Sequence, residues 1–123
     1  MIYLWIGLGS ALGGMARYAC QVWATRWISD TFPWGTFLVN ILGCSIIGFF
    51  AAFNVRAPIR QFVMVGILGG YTTFSSFGLE TLNLARDGQW TKVAGYVLGS
   101  LVFCLLGVFL GNSAGQAILS PVK

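Results

Sequence analysis

The sequence contains very few charged residues. Only 8% of its 123 residues are Asp, Glu, Lys or Arg, whereas 57% are hydrophobic. An average globular chain is about 25% charged. A chain of this length cannot bury so much apolar surface within itself, so lipid must cover much of it. The scarcity of charge therefore excludes a soluble domain and predicts an integral membrane protein.

Residues that usually perform catalysis or bind metals are also scarce. Histidine is absent and acidic residues number three, so no nucleophile–base pair or metal cluster can be assembled and we do not expect an enzyme. Cys20, Cys44 and Cys104 lie far apart in apolar runs without CxxC or zinc spacing, and we interpret them as small buried apolar residues. The basic residues are dispersed, which argues against a nucleic-acid partner despite the net charge of +4.

Charged residues divide the chain into four apolar segments. A helix that crosses a bilayer needs about 20 mostly apolar residues. We predict spans at about residues 2–25, 32–55, 61–84 and 92–119, within a single transmembrane domain over residues 1–123. The sequence thus predicts an all-α, multi-pass integral membrane protein.

The basic residues do not define an orientation in the membrane. Each predicted side carries three of them in its loops or tail: Arg56, Arg60 and Lys123 on one side, and Arg26, Arg86 and Lys92 on the other. Either something other than loop charge orients the chain, or it inserts both ways and pairs as an antiparallel dimer. Charge counting gives these two interpretations equal weight.

Glycines recur at a spacing of four, which lets membrane helices approach closely. The spaced glycines are Gly9 and Gly13, Gly66 and Gly70, Gly95 and Gly99, and Gly107, Gly111 and Gly115. We predict tight helix packing at these positions, which by itself requires no special function.

A polar stretch, GGYTTFSSFGLE at residues 69–80, lies in the middle of the third predicted span. Non-helical backbone at this depth is tolerated only where it is buried in protein or lines a cavity. A break frees carbonyls that can coordinate a cation and N–H groups that can face an anion. Phe74 and Phe77 can offer positive ring edges to a small anion, although such residues more often serve packing.

Polar side chains also occur in the second and fourth predicted spans. Asn40 either forms an interhelical hydrogen bond or lines a pore, and the sequence gives these roles equal weight. Tyr96, Ser100 and Cys104 form one stripe on the last helix, because residues four apart share a face. Hydroxyls on this stripe either donate to a passing anion or bond back to their own helix.

Two charged residues fall within predicted spans. Arg17 interrupts the first, and an arginine at the centre of a membrane helix costs about 2.5–3.5 kcal/mol on insertion scales. It either lines a vestibule that attracts anions or has a structural role, and we favour the structural role. Glu80 lies nearer the end of its span, where water can reach it.

The sequence resembles the Fluc (CrcB) family of bacterial fluoride channels over essentially its whole length. The matching segments are GGMARY, GTFLVNILGC, GGYTTFSSFGLE and the stripe Tyr96–Ser100–Cys104. The third of these is long and specific. The resemblance implies an antiparallel, dual-topology homodimer in the bacterial inner membrane, with two pores through which fluoride leaves the cell passively.

The resemblance also implies roles for individual residues. Those that match the fluoride pore are Phe74, Phe77, Asn40, Tyr96, Ser100, Cys104 and Glu80. Gly69 and Thr72 match the break whose backbone carbonyls, from both subunits, hold a central structural sodium ion, and Arg17 matches a first-span arginine. Cys104 departs from the family's serine or threonine, and a thiol is a weaker hydrogen-bond donor.

Two other functions compete with a channel. A proton-coupled small multidrug exporter shares the size and antiparallel architecture, but it relies on a carboxylate deep in the first span. This chain has Arg17 and no acidic residue there. A non-transporting scaffold held by glycine faces leaves the polar break and the polar stripe unexplained.

Overall fold

A computed structural model describes residues 1–120, and all regular secondary structure within this range is helical. The elements are α1 (Ile2–Trp27), α2 (Trp34–Ala51), α3 (Ala57–Arg60), a π-helical segment (Gln61–Leu68), α4 (Gly69–Tyr71), α5 (Phe74–Arg86) and α6 (Trp90–Leu119). The predicted all-α class is confirmed.

Three of the four predicted spans are long and apolar enough to cross a membrane, among residues 1–120. They are Trp34–Ala51, Ala57–Arg86 and Trp90–Leu119, with mean hydropathies of 1.7, 1.4 and 2.4. The protein is therefore a multi-pass membrane protein. Helix α1 has 26 residues and covers the first predicted span, but it is not one of these three. Arg17, Gln21 and four glycines interrupt its apolar residues.

Two boundaries of the predicted spans differ from the structure. Helix α2 ends at Ala51 rather than near residue 55, and the Ala52 N–H bonds to Phe49 and Phe50 carbonyls as the chain turns. The third span begins at Ala57 rather than near residue 61. Pro58 lies in its first turn, where the missing N–H costs no intrahelical hydrogen bond.

Helix α1 packs in parallel along the first half of the third span. A Cβ atom added to Gly9 would lie 2.6 Å from the Phe62 carbonyl oxygen and 3.0 Å from Gly66 Cα. One turn later, a Cβ on Gly13 would clash with the Ile67 carbonyl. Only glycine allows the two backbones to approach this closely, which confirms the predicted packing at Gly9, Gly13 and Gly66.

Helices α2 and α6 form a second parallel pair. A Cβ on Gly107 would lie 2.7 Å from Ser45 Oγ, and one on Gly115 would lie 2.7 Å from the Phe49 carbonyl oxygen. The predicted close packing at Gly95 is wrong, because no atom of residues 1–120 lies within 4 Å of its added Cβ. That position faces away from both neighbouring helices.

Most large apolar side chains lie on the outside of the molecule. Leu98, Leu105 and Leu110 on α6 are 59–68% exposed, whereas the fully buried side chains are few. This distribution is the reverse of a soluble protein, and it agrees with an apolar solvent around the helices.

Candidate functional site

The third span is broken at two residues in its middle. Thr72 (φ −79°, ψ 155°) and Thr73 (φ −151°, ψ 119°) are extended and separate α4 from α5. The chain resumes its helix because Thr73 acts as the N-cap of α5, with its Oγ1 accepting a hydrogen bond from Ser76 N at 3.1 Å. The predicted break is confirmed at this position.

Asn40 on α2 holds this break in place. Its Nδ2 donates to the Thr73 carbonyl at 3.0 Å, and Thr73 N donates to its Oδ1 at 2.8 Å. The carboxamide therefore replaces helical partners that the extended backbone cannot reach. The interhelical hydrogen bond expected of Asn40 is present, directed at backbone rather than at a side chain.

These bonds leave two backbone carbonyls without their helical donors. In a continuous helix Gly69 O would accept from Thr73 N, which instead donates to Asn40 Oδ1. Likewise, Ser76 N would donate to Thr72 O in a continuous helix, but here it donates to Thr73 Oγ1 instead. The predicted sodium ligands, Gly69 and Thr72, thus have available oxygens, which suit a hard cation. Residues 1–120 contain no cluster of three Cys, Asp or Glu side chains that could hold a metal ion.

A cavity of about 260 Å³ lies between the break, α2, α5 and α6. It brings together five predicted pore residues from three separate segments: Asn40, Phe74, Phe77, Ser100 and Cys104. Cys44, Thr72, Thr73, Leu101 and Leu105 complete its wall. The side chains predicted from separate motifs therefore share one space, which we call the central cavity.

The two phenylalanines of the central cavity are neighbours. The Phe74 and Phe77 ring centroids lie 5.2 Å apart with planes inclined by 43°, and Phe77 also lies 5.0 Å from the Tyr96 ring. Phe77 is half-buried, whereas Phe74 is 78% exposed in the single chain. The rings are held one turn apart at the start of α5 by the Thr73 cap.

Ser100 contributes a free hydroxyl to the central cavity. Its side chain is 7% exposed, and its Oγ is buried without a hydrogen-bond partner in residues 1–120. The alternative of bonding back to its own helix is therefore not realised. By contrast, Ser45 Oγ on α2 donates to the Ile41 carbonyl at 2.9 Å. A buried unpaired hydroxyl is costly unless a ligand or water completes it.

Glu80 accepts hydrogen bonds from two other helices. Thr36 Oγ1 donates to its Oε1 at 2.8 Å, and the Tyr96 hydroxyl donates to its Oε2 at 2.6 Å. Gln21 Nε2 on α1 in turn donates to Thr36 Oγ1 at 2.9 Å. Thr36 and Gln21 were not among the predicted site residues. Thr36 lies four residues before Asn40 on the same helix face, and this spacing was the available signal.

A second, polar cavity of about 400 Å³ lies at the end of α5, beyond Tyr96. All three acidic residues of the chain, Asp30, Glu80 and Asp87, line it together with Lys92, whose Nζ donates to the Thr31 carbonyl at 2.8 Å. Tyr96 is 0% exposed and contacts Phe77 and Glu80, so it lies between the two cavities.

Arg17 lies apart from this group. It is half-buried on α1 and belongs to the lining of neither cavity, both of which are formed by residues 1–120. Its expected role, vestibular or structural, therefore remains a prediction.

Comparison with known proteins identifies the family. Residues 4–112 match the family described as "CrcB-like protein, Camphor Resistance (CrcB)". Three similar proteins are each named "Fluoride-specific ion channel FluC". The relative from Opitutus terrae is 50% identical (97% of this chain, 96% of the relative), that from Methylocella silvestris 47% (96% and 95%), and that from Rhodospirillum rubrum 46% (91% and 92%). The chain belongs to the CrcB family.

Proposed function

We propose that the protein is a fluoride-selective channel that exports fluoride passively across the bacterial inner membrane. The observation that carries this proposal is the central cavity, where the free Ser100 hydroxyl and the rings of Phe74 and Phe77 meet at a break in a membrane helix. The names of relatives that are 46–50% identical support the same function. These relatives are ion channels by name, and the protein is accordingly not an enzyme.

The cavity suits a small anion because it offers hydrogen-bond donors without a full positive charge. Fluoride leaves water only if other groups replace its hydration, and a hydroxyl together with positive ring edges does so at close range. Since no arginine or lysine among residues 1–120 lines the central cavity, an anion that enters is not trapped by an ion pair. A negative internal potential then drives fluoride outward.

We further propose that two chains pair in antiparallel orientation and form two pores. The support is the broken backbone, because non-helical segments at membrane depth must be covered by protein or line a cavity. In the single chain Gly69, Phe74 and Ser75 are exposed. A second copy would cover this surface, and the balanced basic residues allow both insertions. Helix α1 is the fourth span in this arrangement, since it runs parallel to the third.

A structural sodium ion at the centre of this dimer is consistent with the oxygens available at the break. The Gly69 and Thr72 carbonyls of both subunits would hold it, and its charge would favour anions in the adjacent pores. The chain's own contribution is the Asn40 carboxamide and the Thr73 cap, which keep both carbonyls out of helical hydrogen bonds.

The proton-coupled exporter has no support from these observations. Helix α1 carries no carboxylate, and Glu80 on α5 already accepts hydrogen bonds from Thr36 and Tyr96. None of the three relatives is named as an exporter.

Anion efflux from liposomes tests the proposed function. The purified protein is reconstituted with fluoride or chloride inside, and efflux is started with a potassium ionophore and followed with ion-selective electrodes. We expect rapid fluoride loss without chloride loss. Loss of neither anion, from protein that elutes as a folded dimer, would refute the channel.

A further inference from the structure

The three cysteines of the chain occupy different environments. All three are free thiols. Cys44 on α2 and Cys104 on α6 both line the central cavity. Cys20 on α1 lies outside that cavity, and its Sγ accepts a hydrogen bond from the Tyr71 hydroxyl at 3.4 Å. Two thiols thus face one space while the third is paired elsewhere.

Close helix packing fixes the two helix segments that carry the cavity thiols. One turn after Cys104, Gly107 lets α6 approach Ser45, the residue next to Cys44, with an added Cβ at only 2.7 Å from Ser45 Oγ. The backbones at Cys44 and Cys104 cannot move apart without opening this contact between α2 and α6. A preformed pair of ligands loses little conformational freedom when it binds an ion.

The pair suits only a particular class of metal ion. Thiolates select soft ions such as Ag⁺, Cu⁺ and Hg²⁺. Ions that need four protein ligands, such as structural zinc, would find too few here, because residues 1–120 hold no cluster of three Cys, Asp or Glu side chains that could bind a metal. Soft ions that accept two ligands in a linear arrangement need no third side chain.

The unpaired Ser100 hydroxyl is a second feature that marks this space as a ligand site. Its side chain is 93% buried and its Oγ lacks a partner in residues 1–120, although it lines the same cavity as the two thiols. A buried hydroxyl of this kind is costly unless a ligand or water completes it, so the space is suited to holding one.

We propose that Cys44 and Cys104 form a two-thiol site for a soft metal ion inside the central cavity, and that an ion bound there blocks anion passage. On binding, both S–H bonds break, two metal–sulfur bonds form, and the two protons leave to water, with no change of oxidation state. The blocking half rests on the proposed channel function; the binding half does not.

Binding is tested with Hg²⁺ on the full-length protein in detergent. Protein is exposed to mercuric chloride, washed with a monothiol that strips singly held mercury, and assayed for metal content by mass spectrometry. The matched control is Cys20→Ser, which removes the thiol outside the cavity. We expect it to retain about one mercury ion per chain, because two thiolates satisfy a linear soft ion.

Removal of either cavity thiol should abolish this retention. We expect Cys44→Ala and Cys104→Ser to retain at least about tenfold less mercury. Loss of a residue that only orients a metal ligand already lowers metal affinity by about this factor, and loss of the ligand itself lowers it at least as much. Gel filtration shows which variants remain folded, and either one suffices for the comparison. Mercury retained equally by Cys44→Ala and Cys20→Ser would overturn the site.

Fluoride efflux then tests the block, with each variant compared with its own efflux before mercury is added. We expect mercury to stop efflux through Cys20→Ser and to leave Cys44→Ala conducting. Mercury bound at the pair without any change in fluoride efflux would overturn the blocking half. Retained mercury in protein that never conducts fluoride would instead uphold the site and contradict the channel.

Discussion

At the scale of single residues, Asn40 combines an interhelical hydrogen bond with a position on the wall of the central cavity. The sequence left an interhelical hydrogen bond and a pore-lining position open. The carboxamide bonds to the Thr73 backbone and its side chain also lines the central cavity, whereas its role in a pore stays a prediction. A carboxamide carries its donor and its acceptor on separate atoms, so it can pair with both the N–H and the C=O of one residue.

Phe77 gives the first prediction at this scale. Replacing Phe77 with isoleucine keeps the apolar volume but removes the positive ring edge, so we expect fluoride efflux to fall about tenfold. Aromatic contacts of this kind are worth about 0.5–1.5 kcal/mol, and 1.4 kcal/mol corresponds to a factor of about ten. Phe74→Ile should act in the same direction. The measurement is efflux from liposomes at matched protein density.

The control for these variants is Phe109→Ile. Phe109 lies on α6, is 69% exposed and does not line the central cavity. Its replacement should leave efflux unchanged. Normal efflux through both Phe74→Ile and Phe77→Ile would remove the phenylalanines from the mechanism.

At the scale of elements, helix contacts set the positions of the site residues. Helix α1 follows the first half of the third span through Gly9 and Gly13, and α2 follows α6 through Gly107 and Gly115. These two parallel pairs hold the break between them. The close contacts exist only where both backbones can approach. A substitution that pushes these helices apart should therefore displace the residues at the break.

Adjacent glycines on α1 allow a matched test of this packing. Gly13→Ala would place a methyl group against the Ile67 carbonyl and should destabilise the protein by about 1–3 kcal/mol, as overpacking does. Gly14→Ala points into open space and should be neutral or stabilising by about 0.5–1 kcal/mol, because alanine favours a helix. Thermal unfolding in detergent compares the two. Equal stability of the two variants would contradict a close contact at Gly13.

At the scale of the whole molecule, the single chain leaves its most unusual surface uncovered. Gly69 and Phe74 are exposed beside an extended backbone segment, within a span of 30 residues that is long and apolar enough to cross a membrane. A bilayer cannot satisfy the carbonyls of this segment. The proposed dimer and its central sodium ion would satisfy them together, which couples ion binding to assembly.

Sodium removal tests this coupling. When all sodium is replaced by choline at constant ionic strength, we expect the dimer to unfold or dissociate at a lower temperature, because an ion that binds only the assembled form stabilises it by mass action. Restoring sodium should reverse the shift in a concentration-dependent way. An unfolding temperature that is the same in choline and in sodium would argue against a structural ion at Gly69 and Thr72.

The amino-acid sequence by itself determined the helical membrane class, the break in the third span and half of the residues that line the central cavity. Hydrophobic runs, a polar segment within a predicted span and spacings of four residues are local signals, so they can be recognised in the sequence before the fold is known. The sequence could not predict the series of hydrogen bonds from Gln21 to Thr36 to Glu80, which joins three helices.

Only the tertiary structure decided which polar groups are paired and which are free. Ser100 and Ser45 look alike in sequence, yet Ser45 bonds to its own helix and Ser100 faces a cavity without a partner in residues 1–120. Tyr96 was predicted as one step of a polar stripe, and it proves to separate two cavities. These outcomes depend on the register between helices, which close backbone contacts set and which no single segment contains.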